Sequence, residues 1–258
     1  MGRYTDIGIT GANGTVGRVL MAGLQHDYAL RAITRREVDF ASTIASFDSV
    51  EGLAEVFHGL EAIIHLGADP SPDAPWDSIR DNNINATYNV FEACVRAGVK
   101  RMIFASTNHT MHGHTLRSLP ENLDPDKKVK LKLTDPINPD SLYAVSKLFG
   151  EQIGKLYSER HDVEFVGMRI GWLIVEDDPT TKRGTDSEDY MRAMWLSHRD
   201  CVEAHRCAIE VQTKYLLAYV ISGNDRRVFD LEETTKTLGF HPQDNSENRF
   251  EPQTRSTE

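Results

Sequence analysis

The stretch that decides the fold is Thr10-Gly11-Ala12-Asn13-Gly14-Thr15-Val16-Gly17, which separates a short apolar run from an amphipathic one. In a turn of this kind one glycine bends the chain tightly, one lets backbone N–H groups approach a pyrophosphate, and one lets helix and strand pack closely. The helix that follows presents unpaired N–H groups and the positive end of its dipole to phosphate. An ordinary glycine-rich turn is the alternative, but the position after the first strand favours dinucleotide binding. The expected cofactor residues here are Gly11, Asn13, Gly14, Thr15, Val16 and Gly17.

Around this motif, short β-rich runs alternate with longer amphipathic runs, which is typical of βαβ units and a parallel sheet. The predicted strands are Asp6–Thr10, Ala29–Thr34, Ile44–Phe47, Ala62–Gly67, Met102–Ala105 and Glu164–Ile170, with a further apolar run at Tyr215–Ser222. The predicted helices are Val16–His26, Ser49–Phe57, Trp76–Ala97, Ser141–Arg160 and Glu188–Val211, with a short one beginning near Asp230. We therefore expect an α/β fold: a Rossmann-type doubly wound parallel sheet with a small C-terminal substrate lobe.

The chain shows no internal repeat and no linker, so we expect one domain over residues 1–258. Residues 1–170 would form the dinucleotide-binding core, and residues 171–258 mainly the substrate lobe and the last sheet elements. The tail from Gln243 is polar and is expected to fray.

The composition excludes several classes of protein. Lys and Arg number 29 against 39 Asp and Glu, and this net charge of −10 argues against nucleic acid or an anionic membrane as the main partner. No apolar run approaches the ~18–20 residues that cross a bilayer, and no signal segment follows Met1. The three cysteines do not predict a disulfide scaffold. These features favour a cytoplasmic globular protein.

The end of the second predicted strand indicates which dinucleotide binds. A carboxylate there would hydrogen-bond the ribose 2′-hydroxyl of NAD, whereas arginine accommodates the 2′-phosphate of NADP. Arg35 and Arg36 follow Thr34, so NADP is favoured. NAD remains possible, because Glu37 or Asp39 could reach the ribose and the arginines could be solvated surface residues. Further cofactor contacts are expected at the ends of later strands: Asp48, Ser49, Leu66, Gly67, Ala68 and Ile170.

Tyr143 and Lys147 lie four residues apart in a helical pattern, so their side chains share one face. An ammonium beside a phenol lowers the pKa of the phenol and makes tyrosine a usable general base near neutral pH. An amphipathic surface pair is the alternative for this spacing taken alone. Ser106 and Thr107 directly follow an apolar strand, which puts their hydroxyls at the carboxyl edge of the sheet, where open parallel sheets bind ligands.

Together these motifs resemble the extended short-chain dehydrogenases/reductases of the NAD-dependent epimerase/dehydratase family, and the resemblance covers nearly the whole chain. It implies that Tyr143 is the acid/base, that Lys147 holds the nicotinamide ribose and tunes Tyr143, and that Thr107 polarises the substrate oxygen. It also implies that Asn83 belongs to the cofactor site and supports Lys147 through water.

The segment Phe104–His109 is similar to the strand-end motif of the uronate dehydrogenases, which oxidise an aldose at C1 to the lactone. The chain resembles haloarchaeal NAD-dependent glucose-6-phosphate dehydrogenases more closely still, for example over Ala193–Cys201. Two positions depart from these patterns: Trp172 replaces a small polar residue of the uronate enzymes, and Thr34 replaces an aspartate of the haloarchaeal ones. The implied substrate residues are Ser71, Ser106, Thr107, Asn108, His109, Trp172 and Arg192.

The insertion from His112 to Asp140 carries a cluster of four lysines: Lys127, Lys128, Lys130 and Lys132. One hypothesis is a lid that attracts a phosphorylated or carboxylated sugar. A solvated β-hairpin is the alternative, and it is favoured for any individual lysine. The same insertion begins near three histidines, His109, His112 and His114, with no carboxylate or cysteine at matching spacing, so the sequence predicts no metal site.

These features predict an oxidoreductase that oxidises C1 of an aldose, either a sugar phosphate such as glucose 6-phosphate or a uronate, with hydride transfer to NAD(P). A nucleotide-sugar epimerase or dehydratase would use the same residues, but the chain after Ile170 is short for a nucleotide-diphosphate pocket. A non-catalytic NAD(P)-binding sensor is the third possibility, and such proteins commonly lose the Tyr/Lys pair that this chain keeps. The expected partners are a small-molecule sugar and further copies of the chain in a homo-oligomer, with neither nucleic acid nor membrane.

Overall fold

The computed structural model describes residues 2–115 and 119–250. Within these residues, seven parallel strands form one sheet in the order β3-β2-β1-β4-β5-β6-β7. The strands are β1 (Asp6–Thr10), β2 (Ala29–Thr34), β3 (Thr43–Ile44), β4 (Ala62–His65), β5 (Arg101–Thr107), β6 (Glu164–Ile170) and β7 (Tyr215–Val220). The strand order reverses between β1 and β4, which is the switch point of a doubly wound sheet. The predicted Rossmann-type α/β fold is therefore confirmed.

The predicted strand bounds hold for three strands and differ for the others. β4 ends at His65 and not at Gly67, β5 extends to Arg101–Thr107 from the predicted Met102–Ala105, and β7 ends at Val220 and not at Ser222. β1, β2 and β6 have their predicted bounds. β3 was predicted to run to Phe47 but ends at Ile44: Ala45 still donates to the Thr34 carbonyl at 2.9 Å, and Ser46 and Asp48 then hydrogen-bond each other in a turn. An edge strand has one neighbour, so such local hydrogen bonds compete with pairing.

Helices connect the strands and cover both faces of the sheet. Their bounds are α1 (Thr15–Leu24), α2 (Val50–Phe57), α3 (Trp76–Ile79), α4 (Ala86–Ala97), α5 (Leu142–Arg160), α6 (Glu188–Met194), α7 (His198–Glu210), α8 (Glu232–Leu238) and α9 (Glu247–Phe250). Apolar side chains of α1 and α7 pack on one face, and those of α2, α4 and α5 on the other. Cys94, Cys201 and Cys207 are unpaired. Among the helices described, none combines the length and apolar character that a membrane crossing requires.

Two predicted helices are interrupted. The helix predicted over residues 76–97 consists of α3 and α4 joined by a π-helical turn, Arg80–Asn85. The helix predicted over residues 188–211 stops at Met194, whose carbonyl accepts a hydrogen bond from the backbone of Trp172 at 2.7 Å. It restarts at His198, because the Ser197 hydroxyl accepts the Asp200 N–H at 3.0 Å and caps α7.

The expectation of a frayed tail is wrong for residues 243–250. The buried carboxylate of Asp200 accepts the backbone N–H groups of Gln243 at 2.8 Å and Asp244 at 3.0 Å. Ser246 and Phe250 are buried against the rest of the chain. Polar residues hold this segment through specific hydrogen bonds that composition does not reveal; the rest of the tail, residues 251–258, lies outside the described residues.

Candidate active site

A cavity of 1330 Å³ opens at the carboxyl ends of the strands and spans the switch point between β1 and β4. Most of the predicted cofactor residues line it: Gly11, Asn13, Gly14, Thr15, Val16, Gly17, Arg35, Arg36, Asp48, Leu66, Gly67, Ala68, Tyr143, Lys147 and Ile170. So do most of the predicted substrate residues: Ser106, Thr107, Asn108, His109 and Trp172. The structure thus brings both predicted sets into one continuous space.

The glycine loop between β1 and α1 leaves room for a phosphate ligand. Gly11 has a φ of 69°, and a Cβ there would lie 2.8 Å from the backbone nitrogen of Gly67, so the tight turn needs glycine. A Cβ at Gly17 would lie 2.5 Å from the Gly11 carbonyl oxygen, so α1 packs closely on the loop. At Gly14 the nearest atom is 3.4 Å away. The loop and the adjoining N-terminus of α1 therefore fit a dinucleotide pyrophosphate.

The two arginines after β2 line the cavity at the other end of the predicted cofactor region from the glycine loop. Arg35 and Arg36 both reach the lining, whereas Glu37 and Asp39 do not. Asp39 is paired with Arg18, with 2.6 Å between their charged atoms. Asp39 is therefore engaged outside the lining, while Arg36 and Arg35, whose guanidinium contacts Asn82, remain beside the cavity.

Four predicted residues lie outside the lining: Ser49, Ser71, Asn83 and Arg192. The Ser49 hydroxyl caps α2, and the Ser71 hydroxyl accepts a backbone N–H from Asp73 at 3.2 Å. Arg192 forms ion pairs with Glu188 and Glu247, so its charge is already neutralised locally. The structure does not bring Arg192 to the substrate end.

Asn83 acts on the loop after β4 and on α5. Its side-chain oxygen accepts the Asp69 N–H at 2.7 Å, and its amide donates to the Asp69 carbonyl and to the Ser146 hydroxyl, each at 3.0 Å. Ser146 is the neighbour of Lys147 in the chain. Asn83 therefore holds the turn of α5 that carries Lys147 without a direct hydrogen bond to the lysine.

Tyr143 and Lys147 lie on successive turns at the start of α5, as their spacing predicts. The Lys147 ammonium is 5.8 Å from the centre of the Tyr143 ring and 4.9 Å from that of Phe104. Burial raises the pKa of Tyr143 to about 12, although its hydrogen bond with Thr107 opposes part of that rise. Burial also lowers the pKa of Lys147 to about 7. The expected lowering of the tyrosine pKa by the lysine is therefore outweighed by burial, which favours the neutral form of both groups.

The hydroxyl of Ser106 is bonded within the protein, although the resemblance implied that it binds substrate. It donates to the buried carboxylate of Glu151 at 2.5 Å, and Glu151 is paired with the equally buried Arg169 at 2.8 Å. This ion pair joins α5 to the ends of β5 and β6. Of the two adjacent hydroxyls, the one of Thr107 is the one in hydrogen-bonding reach of Tyr143.

Asn108 is buried, and its amide is engaged by two neighbours. Its side-chain oxygen accepts the Thr107 hydroxyl at 3.2 Å, and its NH₂ group donates to the hydroxyl of Tyr190. The Tyr190 hydroxyl also contacts the His112 ring nitrogen Nε2. Asn108 therefore positions the hydroxyl of Thr107, in addition to lining the cavity.

His109, His112 and Asp140 form a cluster beside Tyr143. The Asp140 Oδ2 atom lies 3.0 Å from Nδ1 of His109 and 2.9 Å from Nδ1 of His112. Burial by itself would raise the pKa of Asp140, but the hydrogen bond from His112 and the charge of His109 hold it well below its ordinary value. The ligand atoms of the three residues lie within 4.8 Å of one another, a set that could hold a metal ion.

The sequence argument against a metal assumed that no carboxylate stands near these histidines, and that assumption is wrong. Asp140 is 28 positions from His112 in the chain, and folding of the insertion brings it back. The absence of a metal stays a prediction. Sequence reasoning also missed Tyr190, which no local pattern separates from its core neighbours in α6. One feature of the sequence could have indicated Asp140: it directly precedes Ser141, the N-cap of the helix that carries Tyr143.

The lysine cluster lies outside the cavity lining. Lys130 donates to the Arg227 carbonyl at 2.5 Å, and the Lys127 ammonium lies 3.8 Å from Glu121. The expected β-hairpin is wrong: within the described residues of the insertion, Leu131 makes one isolated bridge, to Phe229, and short 3-10 turns replace strands. The segment packs against the C-terminal part of the chain.

Known proteins resemble this chain over most of its length. The family model described as the NAD dependent epimerase/dehydratase family matches residues 7–185. The chain is 42% identical to the L-arabinose 1-dehydrogenase (NAD(P)(+)) of Haloferax volcanii, with 93% of this chain and 97% of that protein covered. It is 36% identical to the NAD-dependent glucose-6-phosphate dehydrogenase of the same organism, with 92% and 93% covered. The crystal structure of uronate dehydrogenase from Agrobacterium tumefaciens superposes with a TM-score of 0.80 at 28% identity, covering 95% of this chain and 86% of that one.

Proposed function

We propose that this chain, which belongs to the NAD dependent epimerase/dehydratase family, oxidises C1 of an aldose to the lactone and transfers the hydride to NAD(P). The observation that carries the proposal is the convergence of Thr107, Tyr143 and Lys147 in the cavity that the glycine loop also lines. The names of the two haloarchaeal relatives, an arabinose 1-dehydrogenase and a glucose-6-phosphate dehydrogenase, support the same chemistry.

The side chains supply orientation and proton transfer for this reaction. Bound NAD(P) accepts the C1 hydride. Tyr143 takes the proton of the C1 hydroxyl, so that the C1–O bond becomes the lactone carbonyl as hydride and proton leave the sugar. Because burial raises the pKa of Tyr143 to about 12, its phenolate requires a nearby positive charge. Lys147, one turn further along α5, provides this charge when its amine is protonated, below its pKa of about 7, and Thr107 contacts the reacting oxygen.

Within this function, a neutral aldose is a better substrate than a sugar phosphate or a uronate. Among residues 2–115 and 119–250, the lysines and arginines that line the cavity are Arg35, Arg36 and Lys147, which lie at the cofactor end and beside Tyr143. The substrate end is lined by rings such as those of Trp172 and Tyr190. A phosphate or carboxylate there would lose water without gaining a lysine or arginine from the described lining, and the two histidines at that end already pair with Asp140. The named arabinose enzyme agrees with a neutral sugar.

The cofactor that these residues favour is NADP, with NAD also accepted. Arg35 and Arg36 offer two guanidinium groups where a 2′-phosphate would lie, and planar guanidinium groups bind phosphate through paired hydrogen bonds. Asp39 is occupied by Arg18 and so does not compete for the ribose hydroxyls.

The test is a matrix of initial rates. Nicotinamide reduction is measured for L-arabinose, D-glucose, glucose 6-phosphate and glucuronate, each with NAD and with NADP, and the lactone product is identified. We expect reduction with a neutral aldose and a higher kcat/KM with NADP. Reduction with the anionic sugars alone would reject the neutral-sugar preference. Turnover of a nucleotide sugar, with no free sugar oxidised, would instead identify an epimerase or dehydratase.

A further inference from the structure

A row of aromatic rings bounds the substrate end of the cavity. It begins at Tyr143, whose ring centre lies 5.7 Å from that of His109, and His109 lies 3.7 Å from His112. It continues from His112 to Tyr190 at 5.0 Å and from Tyr190 to Trp172 at 5.5 Å. All five residues line the cavity. The row therefore runs from the proposed acid/base to Trp172, which ends it.

The backbone of Trp172 is fixed by its neighbours. Its N–H donates to the Met194 carbonyl at 2.7 Å, and its own carbonyl accepts the Leu196 N–H at 3.1 Å, which forms a bridge across the break between α6 and α7. At the preceding residue, a Cβ on Gly171 would lie only 2.4 Å from the Met194 carbonyl oxygen. The segment is thus packed closely against its support at Met194.

The indole ring of Trp172 is contacted by two more side chains. The ring of Tyr190 lies 5.5 Å away, and Tyr190 is itself buried and held by its hydrogen bonds to Asn108 and His112. The Lys182 ammonium, in the turn Pro179–Lys182, lies 5.4 Å from the centre of the indole ring, a cation–π distance. Ring and backbone are both restrained, so the indole forms a rigid wall.

A rigid wall of this kind selects by size. The flat face of an indole packs against the C–H face of a sugar ring, and a fixed site discriminates an added group by the cost of pushing the wall aside. A substituent beyond C6 of an aldose held at Tyr143 would have to pass Trp172. When that substituent is a phosphate or a carboxylate, the nearest positive charges are already engaged, because His109 and His112 pair with Asp140 and the Lys182 ammonium lies over the indole ring.

We propose that Trp172 is the specificity-determining residue of this site, and that its restrained indole closes the sugar site behind a neutral aldose of five or six carbons and excludes sugars with an anionic terminal group. The inference rests on the proposed function, because it assumes that the sugar binds with C1 at Tyr143. Lys182 and Tyr190 are positioning residues in this proposal, since they hold the indole.

The test compares Trp172→Ala with Trp76→Ala. Trp76 lies half exposed in α3 and does not line the cavity, so it is the matched control. For Trp172→Ala we expect kcat/KM for L-arabinose to fall and the ratio of kcat/KM for glucose 6-phosphate over L-arabinose to rise by about tenfold or more. For Trp76→Ala we expect an unchanged ratio. A ratio that stays within about twofold of the wild type in a folded Trp172→Ala protein would overturn the proposal.

Two further measurements separate this inference from the proposed function. Trp172→Phe keeps a smaller aromatic wall and should give an intermediate ratio, which covers the case in which Trp172→Ala does not fold. Quenching of tryptophan fluorescence by L-arabinose reports sugar contact with the indole independently of turnover, and it should disappear in Trp172→Phe. If L-arabinose quenches the fluorescence of the wild type but no sugar is oxidised, the contact with Trp172 is supported and the proposed oxidation is rejected. If sugar is oxidised but the quenching is unchanged in Trp172→Phe, the oxidation is supported and the role of Trp172 is rejected.

Discussion

The two ends of the cavity are built in different ways. At the cofactor end, one continuous loop, residues 10–17, forms the surface with its backbone, and glycine provides the space. At the substrate end, side chains from separate segments meet: Asn108 follows β5, Asp140 precedes α5, Trp172 follows β6 and Tyr190 lies in α6. The difference indicates which changes disturb each end. The loop surface is disturbed by side chains added at its glycines, whereas the substrate end can be altered by removing one side chain.

The largest effect is expected where the two ends meet. Tyr143→Phe removes the group that takes the C1 proton, and general acid–base residues typically contribute about 10²–10⁴ in rate. We expect kcat to fall by about 10³-fold while the dissociation constant for the reduced cofactor, measured by its fluorescence, stays within about threefold. The fall follows because phenylalanine keeps the ring but has no hydroxyl to take the C1 proton.

The control for this variant is Tyr157→Phe, in the same helix. Tyr157 is buried, and its hydroxyl donates to Glu92 outside the cavity lining. This variant therefore removes a hydroxyl from α5 but changes no residue of the site. Its kcat should remain within about twofold of the wild type. Residual turnover above a tenth of the wild-type rate in Tyr143→Phe would mean that the proton leaves by another route.

A smaller effect, confined to one cofactor, is expected at the arginines. Replacing Arg35 and Arg36 together by Ala removes the charge-assisted hydrogen bonds to a 2′-phosphate, which are worth about 1.5–3 kcal/mol each. kcat/KM for NADP should fall by about 10²-fold, while kcat/KM for NAD changes by less than about threefold. Arg96→Ala, which removes an exposed guanidinium paired with Glu51 outside the lining, should change neither value. Equal losses with both cofactors would reject the 2′-phosphate contact.

The sequence predicted which residues of the cofactor end meet in one cavity, because the determinants are local. Strand, glycine turn and helix follow one another, and Gly11 and Gly17 have steric reasons to be glycine. Arg35 and Arg36 directly follow the next strand, and the Tyr143/Lys147 pair needs only the period of a helix.

The substrate end could not be predicted in the same way because its contacts join residues far apart in the chain. Asp140 reaches His112 only when the insertion folds back, and Tyr190 looks like any other apolar-facing residue of α6. Arg192 was selected by resemblance, but its charge is used by Glu188 and Glu247, which a sequence pattern does not reveal. Ser106 was selected for its position, and the structure directs its hydroxyl to Glu151.

Asp140 tests how strongly the substrate end depends on one side chain. Asp140→Asn replaces a buried carboxylate that accepts from two histidines by a neutral amide with one acceptor oxygen, and hydrogen bonds to charged groups are worth about 1.5–3 kcal/mol. We expect the free energy of unfolding in urea at pH 7 to fall by about 2 kcal/mol. Asp135→Asn, in an exposed turn of the same insertion, should change it by less than about 0.5 kcal/mol.

The loss should depend on pH with a definite sign. The pKa of Asp140 is lower in the folded protein than its ordinary value, so the unfolded chain takes up the proton first on acidification. The stabilisation by the ionised carboxylate is therefore complete above the unfolded pKa of about 3.9 and decreases as the pH falls through it toward the folded pKa. The difference between wild type and Asp140→Asn should thus be full at pH 7 and smaller at pH 3. A difference that grows on acidification would contradict the assignment.

The smallest effect is expected for the lysine cluster, and it completes the comparison between charges inside and outside the cavity lining. Replacing Lys127, Lys128, Lys130 and Lys132 together by Gln removes four charges, twice as many as the arginine double variant. None of the four lines the cavity, and those whose contacts are described bind Glu121 and the Arg227 carbonyl. Exposed charges at a distance are screened by salt, so we expect KM for L-arabinose and for glucose 6-phosphate to stay within about twofold at physiological ionic strength. A rise in KM for glucose 6-phosphate alone, larger at low salt, would support the lid hypothesis. The insertion, and not Trp172, would then select between charged and neutral sugars.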